Sequence, residues 1–142
     1  MARYTYPLTL ERDGRFMLAQ FVDVPQAHTQ GTTEAEALAE APDCLIAALG
    51  GIIDVKQDIP APSPARGRPT ATLPPLVAAK IALYQAMRVA GLSNVRFAER
   101  LGVTENAVRR LLDLDHRSHI GQLEAALAVL GKRLVIEVRD AA

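Results

Sequence analysis

The stretch Leu92-Ser-Asn-Val-Arg-Phe-Ala-Glu-Arg-Leu-Gly-Val-Thr-Glu-Asn-Ala-Val-Arg-Arg-Leu-Leu112 decides how this chain is read. It predicts two short helices joined by a tight turn. Ser93 can cap the first helix, and Val95, Phe97, Ala98 and Leu101 give that helix an apolar face. Gly102 ends it in the left-handed conformation that glycine adopts at least cost. Thr104 caps a second helix whose Ala107, Val108, Leu111 and Leu112 point into the core, leaving Glu105, Asn106, Arg109 and Arg110 to face outward. A capped second helix with a basic outer face is the layout of a helix-turn-helix DNA reader. Two helices joined at a glycine also occur in proteins that never touch DNA.

On the N-terminal side of this motif, Leu76 to Val89 reads as a helix with Val77, Ile81, Tyr84 and Met87–Arg88 inward and Gly91 after it. On the other side, Asp113 to Ser118 is a polar loop, and Ile120, Leu123, Ala126, Leu127 and Leu130 mark a further helix ended by Gly131. Arg133 to Val138 is a β-branched run that reads as a terminal strand. A lone strand exposes unpaired backbone groups and needs a partner. Pairing of Leu134, Ile136 and Val138 with a second copy would give a two-fold dimer, or a higher even-numbered oligomer; pairing within the chain is the alternative.

The first half has a different character. Tyr4, Tyr6, Leu8 and Leu10 alternate with polar residues, as a strand with one apolar face does, and Pro7 restricts that strand's pairing. Asp13-Gly14 predicts a two-residue hairpin turn into a second strand, Arg15 to Val22. A short third strand around Ala27 to Gln30 follows. Thr33 and Glu36 have capping-box spacing and open a helix running towards Leu49, with Gly50-Gly51 as its stop and an unexplained Pro42 inside. From Ile59 to Pro75 the chain is proline-rich and cannot hold a helix or a central strand. The expected organisation is a small α+β domain over residues 1–58, with a β-hairpin, sheet and helix. A Pro-rich linker follows over 59–75, then an all-α helix-turn-helix domain with a terminal strand over 76–142. Arg66-Gly67-Arg68-Pro69 reads as solvated linker rather than as a phosphate contact.

The net charge is zero over 142 residues, but it is divided. Residues 1–65 carry 4 basic against 9 acidic side chains, and residues 66–142 carry 12 against 7. An acidic half joined to a basic half suggests two partners of opposite sign. No run reaches the roughly 18 apolar residues of a membrane span. The single cysteine, Cys44, excludes an intramolecular disulfide and reads as a buried inert thiol. A cytoplasmic protein with no membrane contact is expected.

Several N-terminal motifs fall in order: Phe21-Val22-Asp23-Val24-Pro25, Thr29-Gln30-Gly31-Thr32-Thr33, Glu34-Ala35-Glu36-Ala37-Leu38 and Ile59-Pro60-x-Pro62-Ser63. This series resembles the HicB-type antitoxins of bacterial toxin–antitoxin modules. The family pattern has Phe-Pro-Asp-Leu-Pro-Gly, Thr-x-Gly-Asp-Thr and Glu-Ala-Leu at the corresponding places. The chain departs from it at Gln26 (glycine in the family), at Thr32 (aspartate) and at Pro42. The C-terminal half resembles the Xre/Cro-like helix-turn-helix class through Phe97-Ala98-x-x-Leu101-Gly102-Val103-Thr104 and the helix from Leu123 to Leu130. The resemblance implies a degraded RNase H-like domain that masks a small basic mRNA-cleaving toxin, HicA-like. It also implies a tail that binds operator DNA at the module's own promoter.

Catalysis is not expected. Asp13, Asp23, Glu34 and Glu36 lie at turns and a helix start, not at the strand-centre spacing that metal-dependent RNase H chemistry requires. His28, His116 and His119 have no partner at ligand spacing, so no metal or cofactor is expected. His116 and Arg117 suit phosphates beside the second helix, or are plain loop residues. The expected DNA-binding set is Thr104, Glu105, Asn106, Arg109 and Arg110 at bases, with Ser93, Asn94, Arg96 and Arg117 at the backbone. The expected toxin-binding set is Glu11, Asp13, Asp23, Glu34 and Glu36. A stand-alone transcriptional regulator with a ligand-sensing N-terminal domain is the competing assignment.

Overall fold

The computed structural model describes residues 4–141, and the chain divides into two compact units at Pro74–Pro75. The first unit is an antiparallel sheet with one helix, built from β1 (Thr5–Asp13), β2 (Phe16–Phe21), β3 (His28–Gly31), α1 (Glu34–Asp54) and β4 (Thr70–Thr72). The strand order is β3-β2-β1-β4. Alternation decides the buried face: Met17, Ala19 and Phe21 of β2 are buried and pair with Arg12, Leu10 and Leu8 of β1. The buried stripe Ala37, Ala41, Leu45, Leu49 and Ile52 of α1 completes this core.

The turn between β1 and β2 is one residue later than expected. Asp13 pairs with Phe16, so the loop is Gly14-Arg15, and only Gly14 has positive φ (+58°). That is the II′ pattern, which needs glycine at the first central position. Pro7 is tolerated in a central strand because it falls one residue beyond the last β1–β2 pair, Leu8 with Phe21. Its carbonyl still accepts from the Val22 N–H at 3.1 Å.

Helix α1 does not stop at Gly50-Gly51 but runs to Asp54. Its buried stripe continues to Ile52, and that burial outweighs the roughly 1 kcal/mol each helical glycine costs. At its start, the Thr33 hydroxyl accepts from the Glu36 N–H at 3.1 Å as a cap should. The Glu36 carboxylate, however, turns to Thr32 instead of Thr33, accepting from its N–H and its hydroxyl, both at 2.7 Å.

The largest departure from the sequence reading is at residues 59–74. They form no linker but belong to the first unit. Ile59, Ala71 and Leu73 are buried, and β4 pairs with β1 through Thr5–Thr72, Tyr6–Ala71 and Pro7–Thr70. The segment offers carbonyls and a serine, and the sheet takes them up. The Tyr6 hydroxyl donates to the Pro60 carbonyl at 2.7 Å, and the Ser63 N–H and hydroxyl both donate to Asp23. Arg66 and Gly67, both at positive φ, form the turn that leads into β4, and the Arg68 side chain folds back on the Pro64 and Ala65 carbonyls.

The second unit holds α2 (Pro75–Ala90), α3 (Asn94–Leu101), α4 (Glu105–Leu112) and α5 (Ile120–Val129). Pro75 at the first helical position of α2 gives up no needed hydrogen bond. Phe97, Val108 and Leu123 are fully buried at its centre. Residues 132–141 belong to no helix or strand, so the terminal strand expected over 133–138 finds no partner among the described residues. No described helix is long and apolar enough to cross a membrane.

Gly31 marks the tightest junction of the first unit. A Cβ there would lie 2.7 Å from the Glu36 Cβ and 2.8 Å from the Ala37 nitrogen. The second of these is backbone and cannot swing away. Gly31→Ala should therefore lower unfolding free energy by about 1–3 kcal/mol in urea titrations; an unchanged midpoint would contradict this packing.

Candidate functional site

The exposed face of the second unit is built from two capped helices. The Ser93 hydroxyl accepts from the Arg96 N–H and the Thr104 hydroxyl from the Ala107 N–H, each at 3.1 Å. Both expected contact residues are thus capping groups, and each keeps its hydroxyl proton to donate outward. Gly102 sits at φ +69°, and the Val103 N–H closes on the Ala98 carbonyl at 3.0 Å. This fixes the short turn between α3 and α4. Val95, expected inward, is half exposed: Phe97 and Ala98 fill the buried face of α3 without it.

On α4 the residues divide as the spacing requires. Val108, Leu111 and Leu112 are buried, while Asn106, Arg109 and Arg110 are exposed at i, i+3 and i+4, a single face. Glu105 pairs with Arg109 at 2.8 Å, with both side chains largely in solvent. Such a pair is worth little and opens readily. Arg96 and Arg117 are exposed and Asn94 is half-buried.

One residue that positions α4 has no counterpart among the expected site residues. Lys80 of α2 is completely buried, and its ammonium donates to the Arg110 carbonyl at 2.6 Å and to the Ser118 hydroxyl at 2.8 Å. Burial pushes its pKa down, and the Asp113 carboxylate opposes that shift. A cation at the C-terminal turn of α4 complements the helix dipole there. Ser118 in turn contacts the His116 ring at 3.2 Å, so the loop carrying Arg117 is tied to the end of α4. The sequence did hold a signal: Val77, Lys80, Ile81, Tyr84 and Met87 share one helical stripe, and a lysine inside an apolar stripe needs a partner.

In the first unit, the register brings four of the five expected acidic residues to one end of the sheet. Gly31 pairs with Met17 and Met17 with Arg12, so the start of α1 lies about two strand spacings, roughly 10 Å, from the hairpin end of β1. Glu11 and Asp13 are exposed there, on the sheet face opposite α1 and across from Leu18 and Phe16. Glu34 and Glu36 are exposed in the first turn of α1. The bonds from Thr32 hold the Glu36 carboxyl below the usual glutamate range. Asp23 lies at the other end of the sheet and is occupied by Ser63, so its carboxylate serves the fold. The expected set is therefore not one cluster: four members share an end and Asp23 does not.

Cys44 is not the buried thiol expected. It is half-buried, and with Gln26, His28, Ala47, Ala48, Gly51, Ile52 and Val55 it lines an open, mainly apolar hollow of about 540 Å³. Burial first, then Asp43 and Glu40, push its pKa up, which keeps it a protonated thiol of low reactivity. Among the described residues no group of three or more His, Cys, Asp or Glu side chains is placed to hold a metal ion.

Comparison with known proteins adds to this geometry. Residues 5–82 match the family model described as HicB-like antitoxin of bacterial toxin–antitoxin system. The chain belongs to that family. Over 129 residues it is 35% identical to antitoxin HicB 2 of Photorhabdus laumondii, covering 91% of this chain and 92% of the relative. It is 35% identical over 133 residues to antitoxin HicB of Escherichia coli K12, covering 93% and 96%. Antitoxin HicB of Pseudomonas fluorescens is 33% identical over 140 residues, covering 97% and 96%. The family model takes in the whole 59–74 segment, in keeping with its place in the sheet unit. The chain is thus a HicB antitoxin of a toxin–antitoxin system and not an enzyme.

If Lys80 anchors the end of α4, Lys80→Met should leave the Arg110 carbonyl and the Ser118 hydroxyl short of a donor. The expected loss is about 1–3 kcal/mol of stability, read by urea unfolding. A change within about 0.5 kcal/mol would contradict the anchoring role.

Proposed function

We propose that this antitoxin neutralises a small basic mRNA-cleaving toxin, HicA-like, with its first unit, and binds operator DNA of its own operon with its second. The observation that carries the DNA half is the single exposed face of α4, where Asn106, Arg109 and Arg110 stand together behind a capped N-terminus. A helix of this kind, preceded by a capped helix of the same length and a glycine turn, is what enters a major groove in helix-turn-helix proteins. Arginine suits guanine and asparagine suits adenine, each good bidentate contact discriminating by about 1–3 kcal/mol. Thr104 and Glu105 lie at the same end, and Ser93, Asn94, Arg96 and Arg117 are assigned to phosphates. Opening the Glu105–Arg109 pair costs little, so Arg109 is available to a base.

The toxin half rests on family membership and on charge. Helix α1 carries Glu34, Glu36, Glu40, Asp43 and Asp54 with no lysine or arginine, and Glu11 and Asp13 add to the acidic end of the sheet. Complementary charge speeds encounter with a basic partner and selects against others. The antitoxin acts by covering the toxin's catalytic surface. We also assign a homodimer, held by residues 133–138 of two copies through Leu134, Ile136 and Val138. A two-fold protein matches the two-fold symmetry of operator half-sites. Family membership favours this reading over a stand-alone ligand-sensing regulator.

The two halves are separable by mutation. Arg109→Ala and Arg110→Ala should each weaken operator binding about 5- to 150-fold in gel-shift titrations at fixed salt. Both variants should still co-purify with the co-expressed toxin. Unchanged DNA affinity in both, or loss of toxin from either, would overturn the division of labour.

A further inference from the structure

We propose that His116 is a phosphate ligand of the second unit, held with its Nε2–H outward by the hydroxyl of Ser118. This rests on the DNA-binding reading above and adds a residue to it. The loop between α4 and α5 is tied by hydrogen bonds on both sides of this histidine. The His116 N–H donates to the Asp113 carbonyl at 3.1 Å, and the Ser118 N–H donates to the His116 carbonyl at 3.0 Å. The Asp113 carboxylate accepts from the Asp115 N–H at 3.0 Å. The His116 side chain is exposed, yet its Nδ1 lies 3.2 Å from the Ser118 hydroxyl. Fixing an exposed side chain costs rotamer entropy, and a group already in place spares a ligand that cost.

The direction of these bonds follows from their buried end. The Lys80 ammonium has no lone pair, so Ser118 accepts from it at 2.8 Å. The Ser118 hydroxyl then has one proton to give and two acceptors in reach, His116 Nδ1 at 3.2 Å and the Arg110 carbonyl at 3.4 Å. That carbonyl already accepts from Lys80 at 2.6 Å. The imidazole nitrogen is the nearer and the unoccupied acceptor, and a hydroxyl that accepts from a cation is the stronger donor for it. The network therefore puts the proton of the neutral ring on Nε2. In the charged ring Nδ1–H would donate to Ser118, whose proton would turn to Arg110, and Nε2–H would stay. In both states Nε2–H has no acceptor among the described residues. The charged groups around it are Lys80 of α2, Arg110 of α4, and Asp113, Asp115 and Arg117 of the loop, with His119 titratable at the start of α5. Three cations against two carboxylates favour an anion. The N-terminal residues of a reading helix meet base edges, so a donor just past its C-terminus meets the backbone.

Two duplexes of equal length test this on the full chain, one with the promoter region of its own operon and one with that sequence scrambled. His116→Ala should weaken binding to both by the same factor, about 3- to 10-fold at fixed salt. Methylphosphonates placed one at a time in the promoter duplex remove the charge of single phosphates. At the phosphate that His116 meets, the parent should lose affinity about 3- to 10-fold and His116→Ala less than about 2-fold further. Ser118→Ala should lose the dependence on that same phosphate, and Ser118→Thr, which keeps the hydroxyl, should retain it. A His116→Ala chain that binds both duplexes as tightly as the parent overturns the assignment. A loss confined to the promoter sequence overturns it too, since that is the mark of a base contact. Full phosphate dependence in Ser118→Ala overturns the part given to Ser118. A parent chain that binds neither duplex overturns the DNA-binding reading itself, so the two failures are told apart.

Discussion

The three hydrogen bonds that hold the proline-rich segment to the sheet support everything else in the first unit. Tyr6 donates to Pro60, and Asp23 takes both the N–H and the hydroxyl of Ser63. Without those anchors a stretch with prolines at 60, 62, 64 and 69 would stay solvated and extended. With them it lies along the unit, turns at Arg66-Gly67 and delivers β4 to the open side of β1. That strand covers a central edge that would otherwise invite pairing with another chain. The Tyr6 phenol is pushed up to about 12 by burial, with Tyr4 and Asp23 adding to the shift, so it stays a donor across the physiological range.

The second unit solves a different problem. The eight-residue helix α4 is too short to be stable alone, so its position has to come from its ends and its buried face. Thr104 secures the N-terminus, Val108, Leu111 and Leu112 secure the face, and Lys80 secures the C-terminus from inside the core. The side chains of Asn106, Arg109 and Arg110 are left exposed. Burying an ammonium is costly, and here two acceptors offset that cost.

What was legible in the sequence followed from local rules. The caps at Ser93, Thr104 and Thr33, the glycine stop at Gly102, the three N-terminal strands and the inward set of α4 all rest on residues within four positions of one another. What was missed depends on partners far away in sequence. Asp23 meets Ser63 forty residues on, Tyr6 meets Pro60, and Lys80 meets Arg110; no spacing rule reaches so far. Gly50-Gly51 failed as a stop because the stripe ending in Ile52 needs two further helical residues. For the same reason, the acidic residues counted as one set in the sequence divide between the two ends of the sheet. The β-branched run at 133–138 reads as a strand by composition, yet among the described residues it forms none.

We propose that one chain divides two binding tasks between two units. Hydrogen–deuterium exchange of the intact antitoxin, measured alone, with its toxin and with operator DNA, tests this in one experiment. The toxin should slow exchange within residues 4–74, foremost in β1 and the first turns of α1, and leave α3 and α4 unchanged. Operator DNA should do the reverse, protecting residues 93–117 and leaving the sheet unit as it was. Protection of α4 by the toxin with none in the sheet unit, or DNA protection confined to the sheet unit, would overturn this division between the units.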